Sequence, residues 1–133
     1  MAILRAADRL RRHYARLLAP HAITLQQYNV LRILRGAGAD GLSTLMIVER
    51  MIERAPGITR LLGRLVRKGL VVRRRDVVDQ RIVTCKITSR GRQLLERLDD
   101  AVARADAAAV SGLPSGERSR LVALLAALGD DST

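Results

Sequence analysis

The chain has 133 residues, of which 48% are hydrophobic, and its formal net charge is +11. This length suits one domain, or one compact unit with an extension for oligomerisation. Because Phe and Trp are absent, the core must be built from Leu, Val, Ile and Ala, which favours helices. The sequence contains no apolar stretch that suits a transmembrane span or a secretory signal, and its single Cys excludes an internal disulfide framework. Together these features predict a cytoplasmic protein.

The first third of the chain is predicted to be helical. Apolar residues recur at steps of three and four over residues 2–18, which predicts the first helix. Thr24 and Gln27 have the spacing of a capping box, and they open a second helix that runs to about Arg35. Ser43 then caps a short third helix.

Most of the net charge lies in one segment, residues 54–92. This segment holds twelve Lys or Arg against two acids, a net of +10, whereas the other 94 residues hold twelve against eleven, a net of +1. Such a concentration can form one surface, and arrays of phosphates are the commonest target of such surfaces. A merely solvated charged face is the alternative, and the scarcity of compensating acids argues against it.

The first half of this segment predicts an amphipathic helix over residues 55–68. Pro56 suits the first turn of that helix, and Gly69 is a signal for its end. Its polar face is small and cationic, and the residues on it are Arg60, Gly63, Arg64 and Arg67. A helix that enters the major groove needs such a face, because arginine reaches guanine edges and phosphates.

The second half predicts a β-hairpin. Strands over 70–75 and 81–87 are joined by a loop that is too long for a two-residue turn. Cys85 alternates with Val83 and Ile87, which predicts a small core residue; a redox-sensing thiol should instead be exposed with a lowered pKa. Arginines stand at both roots of the loop: Arg73, Arg74, Arg75 and Arg81. A basic finger beside a cationic helix is the anatomy of a winged helix.

Three motifs in this region make the interpretation specific. They are Gly69-Leu70-Val71, Asp79-Gln80-Arg81 and Ile87-Thr88-Ser89-Arg90-Gly91. In order and spacing they resemble the MarR (multiple-antibiotic-resistance regulator) family, with its GL[IV], its Asp-x-Arg at the wing and its [LI]-T-x-x-G at the start of the next helix. The resemblance covers nearly the whole chain and is most specific over residues 42–91.

The resemblance implies a mainly α fold with a small β-hairpin wing. Residues 1–133 would be a single MarR-like unit, with a winged helix-turn-helix module at 24–87 and a helical dimerisation region at 1–19 and 88–130. Apolar stripes on the helices predicted over 2–18, 88–110 and 115–129 agree with dimerisation, because they have no partner in the central module. Leu98 and Leu125 are predicted to lie in the dimer interface.

The implied function is sequence-specific binding of double-stranded DNA by a homodimeric transcription repressor on a pseudo-palindromic operator. A small phenolic or aromatic anion would release it. The alternative is a basic winged-helix RNA-binding or protein-interaction module without an operator.

Candidate DNA-binding residues follow from the cationic helix and the wing. They are Thr59, Arg60, Arg64, Arg67, Lys68, Arg73, Arg74, Arg75, Asp79 and Arg81. In the family that the chain resembles, the aspartate orients the wing arginine towards the minor groove; an ordinary exposed ion pair is the alternative for Asp79 and Arg81. Candidate effector-binding residues are Tyr14, Arg16, His21, Tyr28 and Arg32, for which packing and solvation are the alternative roles.

Enzyme motifs are not found in the sequence. His13 and His21 are eight residues apart and flank a proline, unlike a helical i, i+4 metal pair. The sequence has no P-loop, no nucleophile elbow and no CxxC motif. We therefore expect neither enzymatic activity nor a metal or cofactor.

Overall fold

A computed structural model describes residues 1–52 and 56–129. Within that part the chain forms six α-helices: α1 (Ala2–Leu18), α2 (Leu25–Ala37), α3 (Thr44–Arg50), α4 (Ile58–Arg67), α5 (Ser89–Ala109) and α6 (Ser115–Ala127). It also forms three strands: β1 (Leu42–Ser43), β2 (Val71–Arg75) and β3 (Val83–Ile87). The predicted mainly helical fold with a β-hairpin wing is confirmed. None of the helices in these ranges is long and apolar enough to cross a membrane.

The sheet has one strand more than the sequence predicted. Its order is β1-β3-β2, and both pairings are antiparallel. Leu42 and Arg73 flank Cys85 from opposite sides of β3. Strand β1 has only two residues, too few for an alternating pattern to be visible. It ties the start of α3 to the base of the wing.

Local capping signals were predicted correctly. The Thr24 hydroxyl accepts a hydrogen bond from the Gln27 backbone N–H, and the Gln27 side chain accepts one from the Thr24 N–H, which completes the capping box. Ser43 caps α3 by accepting from Met46, as its position predicted. Thr88 caps α5 by accepting from the Gly91 N–H. These signals set the starts of three helices.

Helix α4 is shorter than predicted at its N-terminal end. It begins at Ile58 because Gly57 is its N-cap, with a left-handed φ of 91° that interrupts helical geometry. Pro56 lies in the preceding turn, not in the first helical turn, and the predicted start at residue 55 lies outside the described residues. The C-terminal end is as predicted: Gly69 adopts φ +73° and donates to the carbonyl of Val66, which closes a Schellman motif.

The hydrophobic core is mainly aliphatic and lies between α1, α2, α4, the sheet and α5. Its fully buried large residues are Leu18, Leu31, Leu34, Ile47, Leu62, Leu65, Leu95, Leu98, Val30, Val71 and Cys85. Cys85 is therefore the buried residue that its strand pattern predicted. Leu98 lies in this core, so a charge there would disrupt the subunit itself and cannot test dimerisation. Leu125 is 48% exposed and remains suitable for that test.

Gly91 allows α5 to pack closely against the hairpin. A Cβ at this position would lie 2.5 Å from the backbone oxygen of Leu70 and 2.7 Å from Cγ1 of Ile87. We expect Gly91→Ala to lower the free energy of unfolding by about 1–3 kcal/mol, because the backbone must shift to admit the methyl group. Chemical denaturation measures this effect. Gly36→Ala in α2 is the matched control: its Cβ would meet nothing within 4 Å, and it should stabilise by about 0.5–1 kcal/mol. A Gly91→Ala protein as stable as wild type would contradict this packing.

Candidate nucleic-acid interface

Helix α4 separates a buried apolar face from an exposed cationic face. Leu61, Leu62 and Leu65 are buried and fix the helix against the core. The side chains on the exposed face are those of Thr59, Arg60, Arg64 and Arg67. None of these arginines forms an ion pair with a carboxylate of the described residues. The face therefore presents positive charge that no carboxylate in that part of the chain neutralises.

The wing strand extends this cationic face on one side. Val71 is buried, so Arg73 and Arg75, two and four residues further along β2, lie on the same side of the strand as α4. They line a cleft of about 350 Å³ with Thr44 and Thr59. Arg74 is exposed and points to the opposite face of the strand.

Helix α4 and the wing strand approach each other closely at one point. A Cβ built on Gly63 would lie 3.9 Å from Nη2 of Arg73. Arg73 thus lies beside α4, whereas Arg74 faces away from it. The three consecutive arginines of β2, which the sequence predicted as one group, therefore have two different environments.

The wing tip is an ordered loop between Arg75 and Val83. Asp76 accepts hydrogen bonds from the backbone N–H groups of Asp79 and Val78, which hold the pKa of the Asp76 carboxyl below its usual range. Asp79 binds Arg81 in a fork: Nε to Oδ1 is 3.0 Å and Nη2 to Oδ2 is 3.1 Å. This pair lowers the pKa of Asp79 and raises that of Arg81. The geometry restricts the guanidinium of Arg81, whose side chain is 90% exposed.

We expect Asp79→Ala to weaken DNA binding mildly, in the same direction as Arg81→Ala. Removing a negative charge should by itself strengthen attraction to phosphates, so weaker binding would require that the carboxylate orients Arg81. Titration of labelled duplex DNA by fluorescence anisotropy measures the effect. Asp76→Ala is not a clean control because it opens the loop, whereas Asp100→Ala on the exposed surface of α5 removes equal charge elsewhere. Tighter binding by Asp79→Ala would show that charge removal alone accounts for its effect.

Lys68 does not share the environment predicted for it. It is the C-cap of α4 and half-buried, and its ammonium group donates to the backbone carbonyl of Ala22. That contact draws the side chain from the edge of the cationic face towards the connection between α1 and α2. Lys68 therefore differs from Arg60 and Arg64, for which the described residues provide no such contact.

Two further elements border the cationic face, and sequence reasoning did not assign them to it. On the side of α4 away from the wing, Thr24 and Gln26 line a cleft of about 210 Å³ with Arg60 and Arg64. Thr44 lies in the wing cleft. Thr24 was identified only as a helix cap, and Thr44 carried no local signal of a surface role.

Comparison with known proteins places the chain in a family. The MarR family profile matches residues 23–83. The chain is 33% identical in sequence to a MarR transcription factor from Planctomyces limnophilus whose crystal structure is known. The two structures match with a TM-score of 0.75, over 92% of this chain and 89% of that one. The chain belongs to the MarR family.

Other relatives agree with this assignment. An HTH-type transcriptional regulator, TtmR, from Methylorubrum extorquens is 35% identical over 98% of this chain, which spans 65% of that relative's length. The MepR–DNA complex of S. aureus has a TM-score of 0.86 at 25% identity, over 94% of this chain and 91% of that one. BpsR from Bordetella bronchiseptica, whose DNA binding is regulated by 6-hydroxynicotinic acid, matches with a TM-score of 0.83 at 26% identity. The match covers 93% of this chain and 92% of that one.

The effector residues predicted for this MarR protein are only partly brought together. Tyr14, Tyr28 and Arg32 line a cavity of about 200 Å³ between α1, α2 and α5. Arg16 is exposed and does not line it, and His21 lines a different cavity. The prediction for these two residues relied on closeness in sequence. Arg16 is two residues from Tyr14 on α1 and therefore lies on another face of that helix, whereas His21 lies in the turn after α1.

The two tyrosines of this cavity remain protonated at neutral pH. Burial and a hydrogen bond from the Tyr14 hydroxyl to Asp106 raise the pKa of Tyr14 to about 12. Burial also raises the pKa of Tyr28, whose ring lies 6.0 Å from the guanidinium carbon of Arg32. The cavity thus offers two phenol rings and one cation, with the Asp106 carboxylate at its border, where it accepts the hydroxyl proton of Tyr14.

Proposed function

We propose that the chain is a sequence-specific DNA-binding repressor that acts as a homodimer on a pseudo-palindromic operator in the cytoplasm. The observation that carries this proposal is the arginine face of α4, which forms no ion pair within residues 1–52 and 56–129 and is flanked by the basic wing. The S. aureus relative bound to DNA supports it. Two-fold symmetry would present two such faces to successive major grooves, about one helical turn apart.

In the proposed interface, helix α4 and the wing contact different parts of the DNA. Thr59, Arg60 and Arg64 would contact base edges and adjacent phosphates from the major groove. Arg73 and Arg75 would hold the backbone beside α4, since they line the cleft next to it. Arg81 would reach the minor groove, where its charge matters more than base identity.

Selection from random duplexes tests this proposal. We expect enrichment of an inverted repeat whose half-site centres are about 10 base pairs apart. Selection from single-stranded and structured RNA pools at the same salt concentration is the matched control. Enrichment of RNA alone, or of no sequence, would favour the alternative of an RNA-binding or protein-interaction module.

We propose further that a small aromatic or phenolic anion binds the cavity of Tyr14, Tyr28 and Arg32 and releases DNA. The regulation of BpsR by 6-hydroxynicotinic acid supports this class of effector. Arg32 would bind the carboxylate, and the buried ring of Tyr28 would contact the aromatic part. By linkage, a ligand that releases DNA must bind the free protein more tightly than the DNA complex.

We expect hydroxybenzoates to raise the melting temperature and to weaken operator binding, because they bind the free form. Arg32→Gln should remove both responses, whereas Arg16→Gln, which removes equal charge from an exposed site on α1, should keep them. Differential scanning fluorimetry and anisotropy measure the two responses. A panel of phenolic acids that changes neither quantity would exclude this effector class.

A further inference from the structure

A second cavity, distinct from the DNA-binding face and from the cavity of Tyr28, is lined by cationic side chains. It has a volume of about 300 Å³ and lies between the turn after α1, the end of α4 and the first half of α5. Its lining residues are His21, Ala22, Lys68, Leu70, Arg90, Leu94 and Arg97. None of these is an acid. Its volume is at the lower end of the range for small-molecule pockets.

The cations of this cavity have no counter-charge among the residues that the structure describes. Lys68, Arg90 and Arg97 form no ion pair with a carboxylate among residues 1–52 and 56–129. By contrast Arg35, also near α5, binds Asp99 in a fork with distances of 2.9–3.1 Å. Three permanent charges in one concave site repel one another, and a bound anion would relieve that repulsion.

The walls of the cavity are held in place before any ligand binds. Lys68 is fixed by its hydrogen bond to the carbonyl of Ala22, a residue in the left-handed conformation with φ 57°. Arg90 lies over Gly69: a Cβ built on that glycine would be 3.8 Å from Cδ and Nη1 of Arg90. Thr88 ties the two segments together by donating from its hydroxyl to the carbonyl of Gly69, at 2.7 Å. A preformed site loses less entropy on binding.

We infer that this cavity binds a small anion that carries phosphate groups and at least two negative charges. Two arginines of α5 and a lysine at the end of α4 can surround such a group, because guanidinium forks match phosphate oxygens and lysine adds a point charge. The buried side chains of Leu70 and Leu94 form a floor that suits an apolar part of the molecule. The site is concave, and Lys68 is drawn away from the α4 face, so a free small molecule fits it better than the backbone of bound DNA.

Titration with inorganic pyrophosphate at constant ionic strength tests this inference without any DNA. We expect saturable binding by calorimetry, with amide shifts at Gly69, Leu70 and Gly91 in ¹⁵N spectra of the full chain. Arg90→Gln/Arg97→Gln should weaken that binding by more than about tenfold, because charge-assisted hydrogen bonds dominate such sites. Arg92→Gln/Arg104→Gln removes two exposed charges from the same helix and should change it by less than about twofold.

Three results would overturn the inference. One is the absence of saturable binding by the wild type, and another is equal weakening by the two double variants. In the third, the wild type does not bind pyrophosphate, and Arg90→Gln/Arg97→Gln lowers the salt slope of duplex binding by about two units. That result would show that these arginines contact the DNA backbone. Since the titration contains no DNA, its failure leaves the proposed repressor function untouched.

Discussion

Arg60→Ala should lower operator affinity by about 1–3 kcal/mol, roughly 5- to 150-fold, and relax sequence preference at one operator position. Arg60 lies on the exposed face of α4 without a carboxylate partner in the described residues, so its guanidinium is available for a bidentate contact to guanine. Affinity for a scrambled duplex should fall much less, because the lost contact reads base identity.

Arg81→Ala should behave differently, because Arg81 lies at the wing tip, away from α4. Binding should weaken on operator and scrambled duplexes alike, and the salt slope should fall by about one unit for the lost phosphate contact. Arg118→Ala on α6 removes equal charge outside the proposed surface and should leave affinity and slope unchanged. Anisotropy titrations of all three variants on both duplexes, over a salt series, separate the two roles. If neither Arg60→Ala nor Arg81→Ala alters affinity, this surface is not the DNA-binding face.

Much of the fold could be predicted because its determinants are local in sequence. Thr24, Ser43 and Thr88 cap helices through partners three residues away, so the sequence alone shows both members of each interaction. The buried stripe of α4 follows from helical spacing in the same way. The start of α4 was predicted too early because Gly57 and Pro56 act through backbone conformation, which periodicity does not reveal.

The features that were not predicted depend on contacts between distant segments. Strand β1 exists only because Leu42 pairs with Cys85, 43 positions further along the chain. The different orientations of Arg73 and Arg74 require knowledge of which side of β2 faces α4. Lys68 appeared to belong to the cationic helix until its contact with Ala22 was visible. The structure therefore brings the predicted segments to neighbouring surfaces, and it separates single side chains that the sequence had grouped together.

Dimerisation should depend on the apolar surface of the terminal helices. No described residue of α6 is buried in the subunit, and Leu124, Leu125 and Leu128 are 57%, 48% and 55% exposed. On α1, Ile3 and Leu4 are 54% and 63% exposed. Two helices with unpaired apolar side chains at the two ends of the described chain are expected to pack against a second copy, in line with the proposed homodimer.

Leu125→Asp should convert the dimer to a monomer and abolish operator binding at concentrations where the wild type is saturated. Burial of one leucine contributes about 1.5–3 kcal/mol, and two-fold symmetry doubles the loss, so the dimer dissociation constant should rise by more than about 100-fold. Operator affinity falls with it, because a monomer contacts a single half-site and loses the effective concentration of the second. Sedimentation velocity and anisotropy measure the two effects, and far-UV circular dichroism should be unchanged because the side chain is exposed in the subunit.

Leu45→Asp is the matched control for this substitution. Leu45 is 68% exposed on α3, outside the terminal helices, so the same change there should leave the monomer–dimer equilibrium unaltered. A wild type that sediments as a monomer at micromolar concentration would contradict the dimer outright. A Leu125→Asp protein that remains dimeric yet loses DNA binding would place the interface elsewhere and connect α6 to DNA through some other contact. Loss of the dimer in Leu125→Asp and not in Leu45→Asp, with loss of operator binding in Leu125→Asp, is the result that the exposed leucines of α6 require.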